Sequence, residues 1–338
     1  MDSSLGGGLL GQGADYPRLV LARSRPTRRA ALALAVGVAA GVPAVGPGWT
    51  RVRSLVLATG LSGAPYGTFG RRLAGEIDRR VASLRINVVN TSASIRNLRL
   101  LGAGDVDLGL ALGDSCADAY EGTGEFAAPE PVAALARIYL NYTHLVVRAA
   151  SGVGTVGDLA GLRVSLGVAG SGTVTVAERI LAAAGVDGRV QARYLGLDDS
   201  ARALRQGRID AFFASSGVPA RAVDTLAGVL AIALVPLEGY AKMLRAQHGP
   251  SYVEVSMPAG TYKQSSEVPT VGVPTYLMAR SALSETDAYD VTRAMFAARQ
   301  SLPGPEVPGA YLDERYAVGT GPVPLHPGAV RYYREVYG

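Results

Sequence analysis

TSASIRNLRLLGAGDVDLGLAL, from Thr91 to Leu112, is answered later in the chain by GLDDSARALRQGRIDAFFASSG, from Gly196 to Gly217. Each stretch reads as a helix that stops at a glycine and a short strand that opens beside an acid. The junctions are Gly104-Asp105-Val106-Asp107 and Gly207-Arg208-Ile209-Asp210. A second matched pair precedes them. TGLSGAPYG (Thr59 to Gly67) and LGVAGSGT (Leu166 to Thr173) each set a Gly/Ser-rich turn between an apolar strand and an amphipathic helix. The pattern predicts two similar α/β lobes, each with a Gly/Ser loop at the C-terminal end of a strand, where open α/β sheets bind ligands. Two such lobes facing one another predict a cleft that closes on a small molecule.

Working outward, Ser54 to Thr59 (SLVLAT) is near-continuously apolar, as a buried parallel strand requires. The helix after Tyr66 carries Phe69, Leu73, Ile77 and Val81 at four-residue spacing, with Arg71, Arg72, Asp78 and Arg79 on its other face. Strands are expected over Arg85 to Asn90 and Val106 to Leu112, with a helix over Ser94 to Leu101 between them. That alternation means βαβ units with right-handed crossovers. Ala133 to Val147 crosses between lobes, extended over Tyr139 to Asn141 and His144 to Val147. The second lobe repeats the plan: strand Leu162 to Leu166, loop Gly167 to Gly172 and helix Thr173 to Ala184. Strand Val190 to Tyr194, helix Asp199 to Gln206 and strand Ile209 to Ala214 follow. Val271 to Ala279 is the strand that returns to the first lobe, Ala288 to Arg299 is helical, and Pro303 to Pro308 is a loop. A last helix begins near Pro327, a favoured first helical residue. The expected partition is residues 49–145 with 268–338 in lobe 1 and 146–267 in lobe 2, after a start covering residues 1–48.

The chain has 338 residues, 48% of them apolar and 18% charged, which fits a packed globular protein of two domains. The single Cys116 excludes an intramolecular disulfide and any multi-cysteine metal site. His144, His248 and His326 form no metal-ligand spacing. The net charge is +5, and the first 46 residues supply +3 of it from five Arg and two Asp. The remainder is too small to argue for nucleic acid as a partner. Arg23, Arg25, Arg28 and Arg29 followed by the apolar run Ala30 to Val42, with small residues near Ala40 and Ala44, read as an export signal. The run is shorter and more Ala-rich than a spanning helix, which needs about 20 strongly apolar residues, with an uncleaved membrane anchor as the alternative. No cysteine follows it as a lipid attachment point.

The candidate site starts from Gly170-Ser171-Gly172-Thr173. Glycines admit a ligand close to the backbone, a helix start attracts an anion, and the hydroxyls add donors. The alternative is a plain helix cap. On the facing lobe stand Thr59, Gly60, Ser62, Gly63 and Tyr66, the last with an aromatic face and a hydroxyl or else simply a core tyrosine. Thr91, Ser94 and Asn97 form a third polar group, in which Ser94 could be only a cap and Asn97 only a local turn bond. Asp114 and Ser115 follow a strand end toward the same crevice, and Tyr139 and Gly217 complete the expected ligand set. Catalytic patterns are missing. There is no GxxxxGK[ST] loop, no GxGxxG, and Ser171 sits in AGSGT instead of a GxSxG elbow. A Ser171 served by His144 or His326 is the remaining enzymatic reading, with no base placed near it in sequence. The chain therefore reads as a binding protein without a cofactor or metal.

These residues resemble the TAXI group of solute-binding proteins of tripartite ATP-independent periplasmic (TRAP) transporters. The resemblance runs from about Leu55 to the C-terminus. It is carried by TGLSGAPYGTFG (Thr59 to Gly70), the Thr91 to Asp107 stretch, AGSGT (Ala169 to Thr173), ERILAAAG (Glu178 to Gly185) and GRIDAFF (Gly207 to Phe213). SGVP (Ser216 to Pro219), PAGTY (Pro258 to Tyr262) and PLHPGAVRYYRE (Pro324 to Glu335) continue it in order. The resemblance implies an α/β, two-lobed periplasmic-binding-protein-like fold of type II, each lobe a mostly parallel sheet flanked by helices. It implies a small organic anion as ligand, glutamate-like or dicarboxylate by family precedent, and delivery to TRAP membrane subunits outside the cytoplasm. Carried over by position, the contacts are Thr59, Gly60, Ser62, Gly63 and Tyr66, then Thr91, Ser94 and Asn97, then Ser171, Gly172 and Thr173. The chain departs from the family pattern at Leu61 and Ala93, where glycines are usual. It departs also at Pro65, at Gly67 in place of an aromatic, and at Leu112 in place of a polar residue. These changes imply a more apolar pocket that takes a carboxylate with an apolar body. Two alternatives stay open: a ligand sensor feeding a membrane signalling partner, and an enzyme on the same bilobal fold.

Overall fold

The computed structural model describes residues 52–304 and 312–338. The expected export segment and most of the Pro303 to Pro308 loop lie outside them. Lobe 1 opens with strand β1 (Arg53–Ala58), helix α1 (Pro65–Arg80), β2 (Leu84–Val89), α2 (Ser94–Ala103), β3 (Leu108–Leu112) and α3 (Gly113–Glu121). The chain then crosses through β4 (Val132–Arg148). Lobe 2 follows as β5 (Arg163–Ser165), α4 (Gly172–Ala183), β6 (Gln191–Arg193), α5 (Leu197–Arg205), β7 (Ala211–Ser216) and α6 (Arg221–Val229). It continues through β8 (Ile232–Leu234), α7 (Tyr240–His248) and β9 (Val253–Met257). The return strand is β10 (Val268–Arg280), followed by α8 (Glu285–Ala297), α9 (Glu314–Ala317) and α10 (Pro327–Tyr337).

The strands share one curled mixed sheet in the order β2-β1-β3-β10-β4-β7-β5-β6, with β8 paired to β4 and β9 to β10. Its two halves mirror each other. β2, β1 and β3 are parallel, as are β6, β5 and β7, and each trio is bordered by one long antiparallel strand. That symmetry is the spatial counterpart of the repeated sequence. β4 pairs with β10 from Val132 to Tyr142 and with β7 from Tyr142 to Val147, so a single strand serves both lobes. The crossing is one unbroken strand of 17 residues, where the sequence suggested two extended segments. Strands β3 and β7 each begin two residues later than their patterns suggested, because the acids that precede them are engaged elsewhere. Asp107 accepts the Val56 N–H of β1 at 2.9 Å, and Asp210 accepts the Arg163 N–H of β5 at 2.9 Å. Arg280 and Arg163 complete the two clips. The repeated acid therefore ties neighbouring parallel strands together in each lobe.

Apolar side chains gather on both sides of the crossing. Phe69, Leu73, Ile77 and Val81, the stripe on α1, are buried against Leu55, Leu57 and Leu84 of the lobe 1 sheet. Val176, Ile180 and Leu181 of α4 fill the same place in lobe 2 against Val164 and Phe213. Each such side chain contributes roughly 1.5–3 kcal/mol when fully buried, which makes these helices docked elements of the two cores.

Candidate functional site

The second Gly/Ser loop meets the start of α2 and the end of β3, and both Gly/Ser loops line one cavity. The Arg96 N–H of α2 donates to the Gly170 carbonyl at 3.3 Å across the seam. A methyl group on Gly172 would stand 2.7 Å from Ser94 Oγ and 2.8 Å from Leu112 Cδ1, so only a glycine lets the lobes approach this closely. Between them lies a cavity of about 110 Å³. Its wall takes Gly60, Tyr66, Ser94 and Leu112 from lobe 1 and Ser171, Gly172, Thr173, Phe213 and Ser215 from lobe 2. A wider cleft of about 1,040 Å³ opens outward from it, sharing Leu61, Ala64, Pro65, Gly196 and Leu197. The larger volume is the mouth. The chemistry converges on the smaller one.

Helices α1, α2 and α4 all begin at this cavity. Their cap residues, Ala64, Ala93 and Ser171, line it, none makes a side-chain cap bond, and no acid stands in any of the three first turns. Helix α5 also begins here, at Gly196, but Asp198 and Asp199 in its first turn offset its charge. A helix start carries roughly half a positive charge, and side chains such as Ser, Thr, Asp or Asn usually cap it. Alanine cannot. Ala93 moreover holds φ at 85°, a conformation that favours glycine. Three helix starts without side-chain caps, from two lobes, therefore give the cavity a positive potential with no charged side chain on its wall, the Gly170 carbonyl taking only the Arg96 N–H of α2.

Two hydroxyls sharpen this. Ser171 is 7% exposed, and its Oγ has no hydrogen-bond partner in the protein. Ser215 Oγ is likewise buried and without a partner. A buried hydroxyl left unmade costs about 1–3 kcal/mol, so such groups are uncommon unless something else is meant to meet them. Two further polar groups of the wall are engaged within the protein. Ser94 Oγ accepts the Leu112 N–H at 3.0 Å, and the Tyr66 hydroxyl is bonded to Thr275 Oγ1 at 2.9 Å, which Asn141 also reaches. Burial pushes the Tyr66 phenol well above its ordinary range, so it stays neutral.

The expected site residues thus separate into groups. Gly60, Tyr66, Ser94, Ser171, Gly172 and Thr173 come together on the cavity wall. Ser62, Gly63, Tyr139 and Gly217 line the outer cleft instead, Tyr139 with its ring edge-on to Phe69 at 5.7 Å. Thr59, Thr91 and Asn97 lie behind the wall. The Asn97 amide donates to the carbonyls of Thr59 at 2.7 Å and Leu110 at 2.8 Å, and Thr91 Oγ1 donates to Thr59 at 2.9 Å. They fix the loop by bonding its backbone. Asp114 and Ser115, expected at the crevice, are fully buried away from it. Asp114 accepts from the Tyr252 hydroxyl at 2.9 Å and from the Ser115 N–H at 2.7 Å. Beside them Arg179 of α4 grips Asp118 of α3 at 2.7 and 2.8 Å and donates to Tyr252 at 2.7 Å. Burial pushes the Asp114 carboxyl up, and the Arg179 charge opposes that shift. The network joins the lobes close to the crossing strands.

Ser215, Phe213 and Thr275 were not expected at the site. The repeat held the signal for the first. The register that matches Asp107 with Asp210 matches Leu112 with Ser215, so the two strand ends face one cavity. The enzymatic alternative finds no support in these contacts. His144 is buried, bonded through Nδ1 to the Tyr142 carbonyl and through Nε2 to the Tyr262 hydroxyl, both at 2.9 Å. Desolvation lowers its pKa to about 4. His326 bonds the Leu283 carbonyl at 3.1 Å. Neither touches Ser171. Among the described residues no group of His, Cys, Asp and Glu could hold a metal ion, and no helix is long and apolar enough to cross a membrane.

Solved structures share this architecture. PhnD1 of Prochlorococcus marinus (MIT 9301), in complex with methylphosphonate, matches over 74% of this chain and 86% of its own, at 12% identity and a TM-score of 0.51. MatC of Rhodopseudomonas palustris with bound malate matches over 73% and 84%, at 15% identity and a TM-score of 0.49. A putative L-cystine ABC transporter from Listeria monocytogenes matches over 74% and 92%, at 17% identity and 0.47. At such identities the likeness speaks of fold, and the fold is the type II periplasmic-binding-protein-like one. The sequence itself fits one family model across nearly all of both lobes. With residues 57–336 matched, the chain belongs to the NMT1-like family.

Proposed function

We propose that this chain is an exported solute-binding protein of the TAXI type that captures a small organic anion and delivers it to the membrane subunits of a TRAP transporter. One observation carries the reading. Helix starts without side-chain caps, from both lobes, converge on an inter-lobe cavity that opens into the wider cleft and whose wall includes Ser171 and Ser215, with buried hydroxyls that no protein group satisfies. A binding fold does not select a transporter class. The ordered motifs from Thr59 to Glu335 support the TAXI assignment, and the basic-then-apolar start supports export. Lobe 1 (residues 49–145 and 268–338) receives the anion, lobe 2 (146–267) closes on it through β4 and β10, and docking on the membrane subunits favours reopening. No step makes or breaks a covalent bond.

The test is thermal unfolding of the chain against a panel of small carboxylates, amino acids and other oxyanions. A ligand at 100 times its Kd stabilises by about 2.7 kcal/mol, an easily read rise in Tm. Saturable stabilisation without turnover is the expected result. A folded protein that responds to no anion, or one that consumes its ligand, overturns the reading.

A further inference from the structure

We infer that Leu61 is a gate between the inner cavity and the outer cleft, setting how fast a solute enters and leaves. What passes the gate rests on the solute-binding reading, whereas the gate itself is tested without a solute. Contacts between the lobes border the cavity. Gly172 of lobe 2 approaches Ser94 and Leu112 of lobe 1. The Gly170 carbonyl takes the Arg96 N–H at 3.3 Å, and a β-carbon on Gly170 would stand 3.2 Å from Ser92 Oγ. Toward the cleft the lobes meet differently, through an apolar side chain. A β-carbon on Gly196 of lobe 2 would stand 3.3 Å from Leu61 Cδ1 of lobe 1 and 3.8 Å from Val168 Cγ2. Leu61, Ala64, Pro65, Gly196 and Leu197 line both the cavity and the cleft, and none has a polar side chain. They form an apolar neck, with Leu61 reaching across it.

The sequence fixes the base of this side chain and leaves its tip free. The Leu61 carbonyl accepts the Ala64 N–H at 3.0 Å, closing a turn in which Gly63 takes the required positive φ, 86°. A methyl on Gly67 would stand 2.5 Å from the same carbonyl oxygen, so α1 packs directly against the turn. Beyond that anchored backbone the Leu61 side chain is 44% exposed. Its remaining freedoms are rotamer exchange and separation from Gly196 as the lobes part. An anion in an apolar neck loses water with no polar side chain to replace it, so passage waits on one of those motions. The unpartnered Ser171 and Ser215 hydroxyls line the inner cavity, and neither residue lines the outer cleft. Leu61 therefore acts on entry and exit alike and leaves the hydrogen bonds of the bound state in place.

The experiment is thiol labelling of the full chain with 2-sulfonatoethyl methanethiosulfonate, a small anion. Ser171→Cys and Ser215→Cys, made separately, each set a thiol in the cavity. Cys116, the single native cysteine, is fully buried in α3 and reports loss of structure. Val229→Cys, at a residue of the outer cleft that is 64% exposed, reports the probe's arrival at the mouth. Adding Leu61→Gly is expected to speed labelling of both cavity thiols about tenfold or more. Leu61→Met should keep the parental rate, and the Val229→Cys rate should be the same with Leu or Gly at position 61. Cavity thiols that label equally fast with Leu and with Gly overturn the gate. An acceleration that extends to Cys116 also overturns it, because loosening of the fold would then be the cause. Neither result touches the solute-binding reading, which falls instead if a folded chain responds to no anion; a gated cavity would then remain without an assigned solute.

Discussion

In lobe 1 the polar groups around the first Gly/Ser loop bond one another. Thr59 donates to Val89 at 3.1 Å, Asn90 to Gly60 at 2.7 Å, Thr91 to Thr59, and the Asn97 amide bridges Thr59 and Leu110. In lobe 2 the corresponding knot is smaller, a single Ser165–Ser200 contact at 2.8 Å supported by Leu195, and the hydroxyls nearest the cavity bond nothing in the protein. The repeat register equates Asn97 with Ser200, so one position ties the loop in both lobes, more heavily in the first. Two loops read from one pattern have thus divided the work. Lobe 1 supplies a rigid shape, and lobe 2 supplies unused hydrogen-bonding capacity.

The strongest way to break that comparison is to show that the lobes are held by neither loop. Arg179 spans them, 12% exposed at its side chain, against the buried carboxylates of Asp118 and Asp114. Arg179→Met leaves both acids uncompensated and is expected to destabilise by about 3–5 kcal/mol, measured by urea unfolding. Burial already raises the Asp114 carboxyl, and removing the arginine raises it further. A carboxyl raised in the folded state binds protons there above its unfolded pKa, so folding loses stability as pH rises through that window. The deficit of Arg179→Met should therefore be larger at pH 8 than at pH 5. A pH-independent deficit would show that the Asp114 charge is not what the arginine compensates.

Next in size is Asn97→Ala. It removes a donor shared by the Thr59 and Leu110 carbonyls at a fully buried position, where an unsatisfied group costs about 1–3 kcal/mol, while the Thr59 carbonyl keeps the Thr91 hydroxyl. A loss of about 2 kcal/mol is expected by the same unfolding measurement. Ser200→Ala, its counterpart in lobe 2, should cost about 1 kcal/mol. Equal costs would dissolve the asymmetry between the lobes.

The fold was legible because its signals are local and repeated. The α1 stripe, the Gly104 and Gly207 helix stops and the two clipped acids each recur at matched places. Helices α3, α6, α7 and α9 and strands β8 and β9 were not anticipated. None of the helices exceeds nine residues and neither strand exceeds five, too short to stand out against the surrounding loops. The site was legible in outline, since Gly60, Tyr66, Ser94 and Ser171 to Thr173 all reach the cavity. What the sequence could not show is which hydroxyls are already satisfied. Thr91 and Ser171 look alike as small polar residues at helix starts. Only the placement of Asn97 and the Thr59 carbonyl reveals that Thr91 is engaged within its own lobe. Asp114 misled for a similar reason: its partners Tyr252 and Arg179 are distant in sequence.

A smaller effect is expected at the seam. Gly172→Ala drives a methyl group against Ser94 Oγ and Leu112 Cδ1 of the other lobe. Overpacking of this kind costs about 1–3 kcal/mol, and here the lobes can avoid it by staying apart. The variant should keep its unfolding midpoint within a few degrees yet lose closure, read as a larger radius of gyration in solution scattering with ligand present. A variant that closes normally would mean that the approach of Gly172 to Ser94 and Leu112 does not limit closure.

The smallest stability effect is also the most discriminating. Ser171 caps nothing and bonds nothing, although it stands at the position where a serine usually caps a helix. If it were an ordinary cap, Ser171→Ala would cost about 1 kcal/mol of stability. If it is held in reserve for a ligand, removing an unpartnered buried hydroxyl should leave the ligand-free protein within about 0.5 kcal/mol of the parent, or slightly more stable. Ligand affinity should nevertheless fall about tenfold or more, since a hydrogen bond to a charged oxygen contributes about 1.5–3 kcal/mol. Loss of stability without loss of affinity would return Ser171 to the role of a cap and leave the lobes alike. Loss of affinity without loss of stability would establish that the second Gly/Ser loop keeps its hydrogen bonds for the solute.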